Sequence, residues 1–156
     1  MPIPAYLEIS DIEGSSKIEG REGWIEVLGF DHKVYMPTDR KDGSATGTRV
    51  HEDCVLLKNF DKASPVLYEY LCNGKLIPEA SLHWYQIDEN GQEVEYYTHK
   101  FENARVTAIR PHMPDVDNPA NEQYKHLERV GMRYEKVTWT FVDGNVEYAD
   151  SWIEGR

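Results

Sequence analysis

The chain has 156 residues, enough for one domain whose core needs neither disulfides nor a metal, since a chain of this length buries roughly 70% of its unfolded surface. Four Trp, ten Tyr and four Phe supply large apolar faces, which excludes a disordered chain. A formal charge of −11, from 28 acidic and 17 basic residues, argues against nucleic acid and anionic lipid as partners, because both would repel it.

Residues 5–10, AYLEIS, alternate and read as a first strand. Residues 11–23 are rich in Gly, Ser and charge and read as a loop. In GWIEVLGFDHKVYMP the alternation changes phase: Ile25 and Val27 share one face, Phe30, His32 and Val34 the other parity, and Gly29 sits at the switch. A bulge or bend there is a device for closing a barrel. Residues 37–49, PTDRKDGSATGTR, have almost no apolar side chain and give little to a core. A loop this long is either a mobile hairpin tip or an arm that orders against a neighbour.

A strand resumes over residues 50–60, and NFDKASPVLYEYLCNGK then reads as a helix at about Ser64–Asn73. Ser64 suits the cap, Pro65 the first turn and Gly74 the left-handed exit. Leu67, Tyr70 and Leu71 make one apolar stripe, and so short a helix must pack on something to persist. SLHWYQI and EVEYYTHKF flank Asn90-Gly91, a strong hairpin signal, and ARVTAIRP is a further strand. Residues 111–123, with three prolines, read as a loop or a broken helical turn. KHLERVGMRYEKVTWTFV is a long strand with a second change of phase: Met132 and Tyr134 share one parity, Val137, Trp139 and Phe141 the other. Asp143-Gly144-Asn145 turns the chain into a last strand, VEYAD. Residues 1–156 read as one domain without repeats.

Chemistry is sparse. The six histidines form no helical HxxxH, and in a strand His51 and Asp53 would face away from Glu52 and Cys54, so no metal is expected. DVDNPANEQ mimics a calcium loop through Asp115 and Asp117 but puts Pro119 and Ala120 where an oxygen ligand and a Gly belong. There is no GxSxG, P-loop or dinucleotide turn, and Glu93 and Glu95 read as a solvated face. No catalytic residue is assigned. Cys54 and Cys72 form no CxxC, and the sequence leaves their pairing open while favouring synthesis in a reducing cytosol. MPIPAYLEISDIEG lacks the basic and apolar regions of a secretory leader, and no stretch is apolar enough to span a bilayer. IEGR occurs at 18–21 and again at 153–156, where it is either a protease-site scar or, given the internal copy, a coincidence.

The order of these elements resembles the haemolysin-coregulated protein (Hcp) family, the inner tube of bacterial type VI secretion systems. The resemblance rests on PAYLEI at 4–9, GWIEVLGF at 23–30, RVHEDCVLLKNFDKASPVLYEYLCNGKLIP at 49–78, LHWYQ at 82–86, YEKVTWTF at 134–141 and ADSW at 149–152. Its most specific part is Asp61-Lys62-Ala63-Ser64-Pro65 ahead of the short helix.

The resemblance implies a mainly β fold: a closed barrel of two antiparallel sheets with one short helix and a long extended loop. It implies homohexameric rings stacked into a hollow tube, with the type VI sheath, spike and small effector proteins as partners. Export would run through that apparatus from the cytoplasm to the exterior or a target cell, without a signal peptide. It implies no enzyme activity, cofactor, nucleic-acid partner or membrane insertion. The inter-ring loop maps onto Pro37, Thr38, Asp39, Arg40, Lys41, Asp42, Thr48 and Arg49, and the channel-facing turn onto Asp31, with Lys33 following at strand spacing. The loop lacks the dense glycine run of some members and the chain is markedly acidic, so stacking should be salt-sensitive. No fused toxin domain is expected after Trp152. The other classes are a monomeric barrel with a small ligand inside, which the aromatic content allows, and an enzyme, which would need a convergent His and carboxylate cluster.

Overall fold

The computed structural model describes residues 3–152. In chain order the strands are β1 (Ala5–Ile9), β2 (Ile25–Val27), β3 (Gly29–Asp31), β4 (Val34–Tyr35), β5 (Val50–His51) and β6 (Cys54–Asn59). The helix α1 (Ser64–Asn73) follows, then β7 (Ile77–Ile87), β8 (Glu93–His112), β9 (Leu127–Arg133), β10 (Lys136–Phe141) and β11 (Val146–Ser151). The fold is mainly β with one short helix, as the periodicities indicate.

The expected closed barrel does not form. Pairing runs β2-β1-β7-β8-β9-β6-β3 and stops at both ends, while β10 joins β8 and β11 joins β10, so nine strands make one open sheet. β4 and β5 form a separate two-stranded sheet. The two ends of the path, β2 and β3, follow each other along one bent segment with only Leu28 between them. They lie in succession, not side by side, and cannot pair. Leu28 N–H instead donates to Leu57 O at 2.7 Å, and a Cβ on Gly29 would meet Leu57 Cβ at 3.1 Å, so glycine allows the bend to lie close on β6.

β8 is 20 residues long and changes partners along its length. Its first part pairs with β7 and β10 and its second with β9. The sequence divides it at Glu102-Asn103, and there Asn103 adopts φ 53°, yet pairing continues on both flanks. The register slips between Val106 and Ala108. The phase change expected after Tyr134 is the break between β9 and β10.

The core is filled by Ile25, Leu56, Leu82, Phe101 and Val137, all 0% exposed, with Leu7, Ile77 and Met132 around them. Each such side chain contributes about 1.5–3 kcal/mol by leaving water. α1 buries Leu67 there, with Val66, Tyr70 and Leu71 partly buried beside it. Gly74 closes the helix in the left-handed region, φ 61°, and Arg105 donates to its carbonyl. Ser64 does not cap: the N-cap is Ala63, without a side-chain hydrogen bond, and Pro65 stands in the first turn.

Residues 11–23, loop-like in sequence, are tied down. Arg21 is 8% exposed, its guanidinium 3.6 Å from the Tyr85 ring and 4.9 Å from Tyr6, and it donates to Glu93 at 3.3 Å. The internal IEGR is therefore structural, whereas the terminal copy lies outside the described residues. Gly14 N–H donates to Gly23 O at 2.7 Å, and a Cβ on Gly14 would lie 2.5 Å from Trp24 O. Backbone cannot retreat as a side chain can. Gly14→Ala is expected to lose about 1–3 kcal/mol in urea unfolding. An unchanged midpoint would contradict the close approach.

Candidate functional site

Residues 37–49 are the part of the chain whose shape the core does not explain. They do not wander. β4 and β5 pair at the root, Val34 opposite His51 and Tyr35 opposite Val50, and Thr38 bridges Ala45 further out. Thr46 N–H donates to Pro37 O at 2.9 Å and Asp39 N–H to Ser44 O at 2.8 Å. The turn is built by side chains: Asp39 accepts from Lys41 N–H and Asp42 from Ser44 N–H and Oγ. Those Ser44 bonds hold the Asp42 carboxyl below its ordinary range. Gly43 supplies φ 75°. The result is an ordered hairpin arm with Arg40, Lys41 and Thr48 exposed, and Val34, Tyr35, Met36 and Val50 exposed near its root.

The root is anchored to β11. Arg49 grips Asp150 bidentately, Nε to Oδ2 at 2.7 Å and Nη2 to Oδ1 at 2.9 Å, and Nη2 also donates to Ser151 O at 2.8 Å. That grip lowers the Asp150 carboxyl. His51, its side chain 3% exposed, lies 2.7 Å from Asp150 Oδ2 through Nε2 and 2.6 Å from Tyr134 Oη through Nδ1. His32 Nε2 lies 2.8 Å from the same hydroxyl, and Trp152 Nε1 donates to Tyr134 O. Asp31, at the end of β3 opposite Val55, is exposed, and so is Lys33, whose ammonium lies 4.9 Å from the Tyr35 ring.

The motif before the helix does more than shape the turn into it, where Asp61 Oδ1 accepts from Ala63 N–H at 3.0 Å. Lys58 and Glu128 face each other across β6 and β9, 1% and 2% exposed, and form an ion pair. Asp61 Oδ1 lies 2.9 Å from Lys58 Nζ. Ser64 Oγ receives Lys58 Nζ at 3.1 Å and Asp61 N–H at 3.0 Å, and donates to Glu128 at 2.7 Å. Asp61 and Ser64 thus close a buried charge cluster, which sequence reasoning missed because Lys58 and Glu128 are 70 positions apart.

Two exposed apolar patches complete the surface. Phe141, Val142, Val146 and Tyr148 crowd the β10–β11 hairpin, and Phe60, Met113, Val116 and Tyr124 line a groove of about 450 Å³. Residues 51–54 do diverge, but not by strand alternation, because residues 52 and 53 lie between β5 and β6: Asp53 goes to Arg133 at 2.7 Å, His51 to Tyr134, and Cys54 is buried, which pushes its thiol up. Cys54 and Cys72 are both free. Among the described residues no group of three or more His, Cys, Asp or Glu converges as for a metal, and no helix is long and apolar enough to cross a membrane.

The family described as "Type VI secretion system effector, Hcp" matches residues 6–141. The "Major exported protein" of Pseudomonas aeruginosa is 34% identical over 166 residues, covering 97% of this chain and 96% of that one. A mutant Hcp1 protein of the E. coli EAEC 042 pathovar is 39% identical, with a TM-score of 0.82 and coverage of 97% and 99%. The secreted protein Hcp3 of Pseudomonas aeruginosa is 29% identical, with a TM-score of 0.78 and coverage of 96% and 97%. With most of its length matched and a 34% identical relative aligned nearly end to end, this chain belongs to the Hcp family of type VI secretion system proteins.

Proposed function

We propose that the chain is a tube subunit: six copies close into a ring, rings stack into a hollow tube, and the bore carries small effector proteins. The sheath and spike drive the tube out of the cell, and the subunit needs no signal peptide. The observation that carries this reading is the arm. An ordered hairpin that gives nothing to its own core, yet is anchored at its root by a bidentate ion pair, is suited to another molecule. Pro37–Arg49 makes the axial contact, and the exposed apolar patches make contacts around the ring. Asp31 and Lys33 face the bore. A ring needs head-to-tail contacts between two different surfaces, and the patches on the β10–β11 hairpin and beside Phe60 offer two. A small-ligand barrel fits less well, because the space it would use is filled by Phe101, Leu82, Leu56 and Val137.

Native mass spectrometry of the purified chain is expected to give a hexamer. A clean monomer at high micromolar concentration overturns the ring. Because every copy carries −11, stacking into tubes seen by electron microscopy is expected to rise with salt from a Debye length of about 30 Å to about 8 Å. Deleting residues 38–46 should leave hexamers and abolish tubes. Tubes that survive the deletion would remove the arm from the axial contact.

A further inference from the structure

The anchored root of the arm is a chain of hydrogen-bonding groups between two acceptors. Asp150, held ionised by Arg49, can only accept at one end. At the other end the Glu52 backbone stands where it can accept from the His32 ring. Between them lie His51, the Tyr134 hydroxyl and His32, linked at 2.7, 2.6 and 2.8 Å. Four links need four protons, one each. Two neutral imidazoles and a phenol bring three.

One added proton makes the count exact. A single imidazolium then lets every link carry one hydrogen, whichever histidine holds it, because rotation of the Tyr134 O–H reverses the two inner bonds together. With no added proton, one link faces acceptor to acceptor. With two, both histidines donate to the Tyr134 oxygen, its own hydrogen has no acceptor in the chain, and two cations lie one hydroxyl apart.

The surroundings agree. Burial, then the nearby His51, lowers His32, so the second proton is the one resisted. Burial first, with Cys54 and Asp150 after it, raises Tyr134, so the phenol relays and keeps its own proton. The other groups facing the chain are Asp31 and the Glu52 carboxylate toward His32, His99 beside it, and Tyr148 toward Arg49. The two carboxylates favour the first proton, and His99 is itself lowered to about 4 and stays neutral.

We propose that His32, Tyr134, His51 and Asp150 form a proton-counting latch, which fixes the arm's root when the two histidines share one positive charge and loosens it on either side. Its effect on stacking rests on the role proposed above for the arm.

The reporter is the Glu52 amide, which donates to Lys33 O at 3.0 Å and closes the root. Its hydrogen-exchange protection in the full chain, corrected for intrinsic rate, is expected to pass through a maximum between about pH 8 and about pH 5. It should fall about tenfold on each side, the worth of one lost hydrogen bond. Tyr134→Phe keeps the ring and removes the relay, and should flatten the profile. Arg49→Lys weakens the grip on Asp150 but leaves the relay, and should lower protection while keeping the maximum. A flat wild-type profile, or a maximum that survives Tyr134→Phe, overturns the latch. Mass measured on the same samples separates the two proposals: a hexamer with flat exchange overturns the latch alone, and a monomer with the maximum overturns the ring alone.

Discussion

Lys58→Met is expected to cost about 3–5 kcal/mol in urea unfolding at fixed protein concentration. Lys58 is the cation among three acceptors, Glu128, Asp61 and Ser64, and removing it strands one carboxylate that is 2% exposed and another whose side chain is 11% exposed. The loss is the penalty for a buried charge without its partner, not the net worth of the pair. Glu128→Gln should cost less, because Lys58 keeps Asp61 at 2.9 Å. The double variant Lys58→Met with Glu128→Leu should cost less than the sum of its parts, since the two residues share one network. Additive losses, or a Lys58→Met change under about 1 kcal/mol, would mean that the cluster is hydrated and not a buried network.

The second large effect is acid sensitivity. Burial first, and His32 second, lowers His99 from 6.5 to about 4. Its Nδ1 accepts from Trp84 Nε1–H at 2.9 Å, so the neutral ring carries its hydrogen on Nε2. Because the unfolded chain takes up this proton more readily, the stabilisation is complete above pH 6.5 and is lost as pH falls toward 4. The gap corresponds to about 3 kcal/mol. His99→Gln keeps an acceptor for Trp84 and removes the titration, so its unfolding midpoint should fall less steeply over that interval. Equal slopes for the two proteins would place the acid-sensitive group elsewhere.

As a member of a family of structural, secreted tube proteins, the chain is not an enzyme. Much of the fold is legible where local chemistry decides it. Pro65, Gly74 and the stripe of Leu67, Tyr70 and Leu71 announce the helix, and Asn90-Gly91 announces the turn between β7 and β8, where Asp88 accepts from two amides. The open sheet is not legible, because closure depends on whether two strand edges lie abreast, and the phase change at Gly29 reports only that the segment bends. The root of the arm is hidden for a different reason. His51 and Asp150 are separated by 99 positions, and Tyr134 lies 102 positions from His32, so no spacing rule brings them together. Composition alone shows that residues 37–49 have no place in the core, but not that Asp39 and Asp42 organise their turn.

The partner exchange along β8 has a mechanical consequence. A push or pull along that strand loads its lateral hydrogen bonds in shear, many at once, and they resist together. The β10–β11 ribbon, drawn apart at its open end, would instead unzip one rung after another. A load entering near Glu93 would therefore reach His112 without crossing a loop.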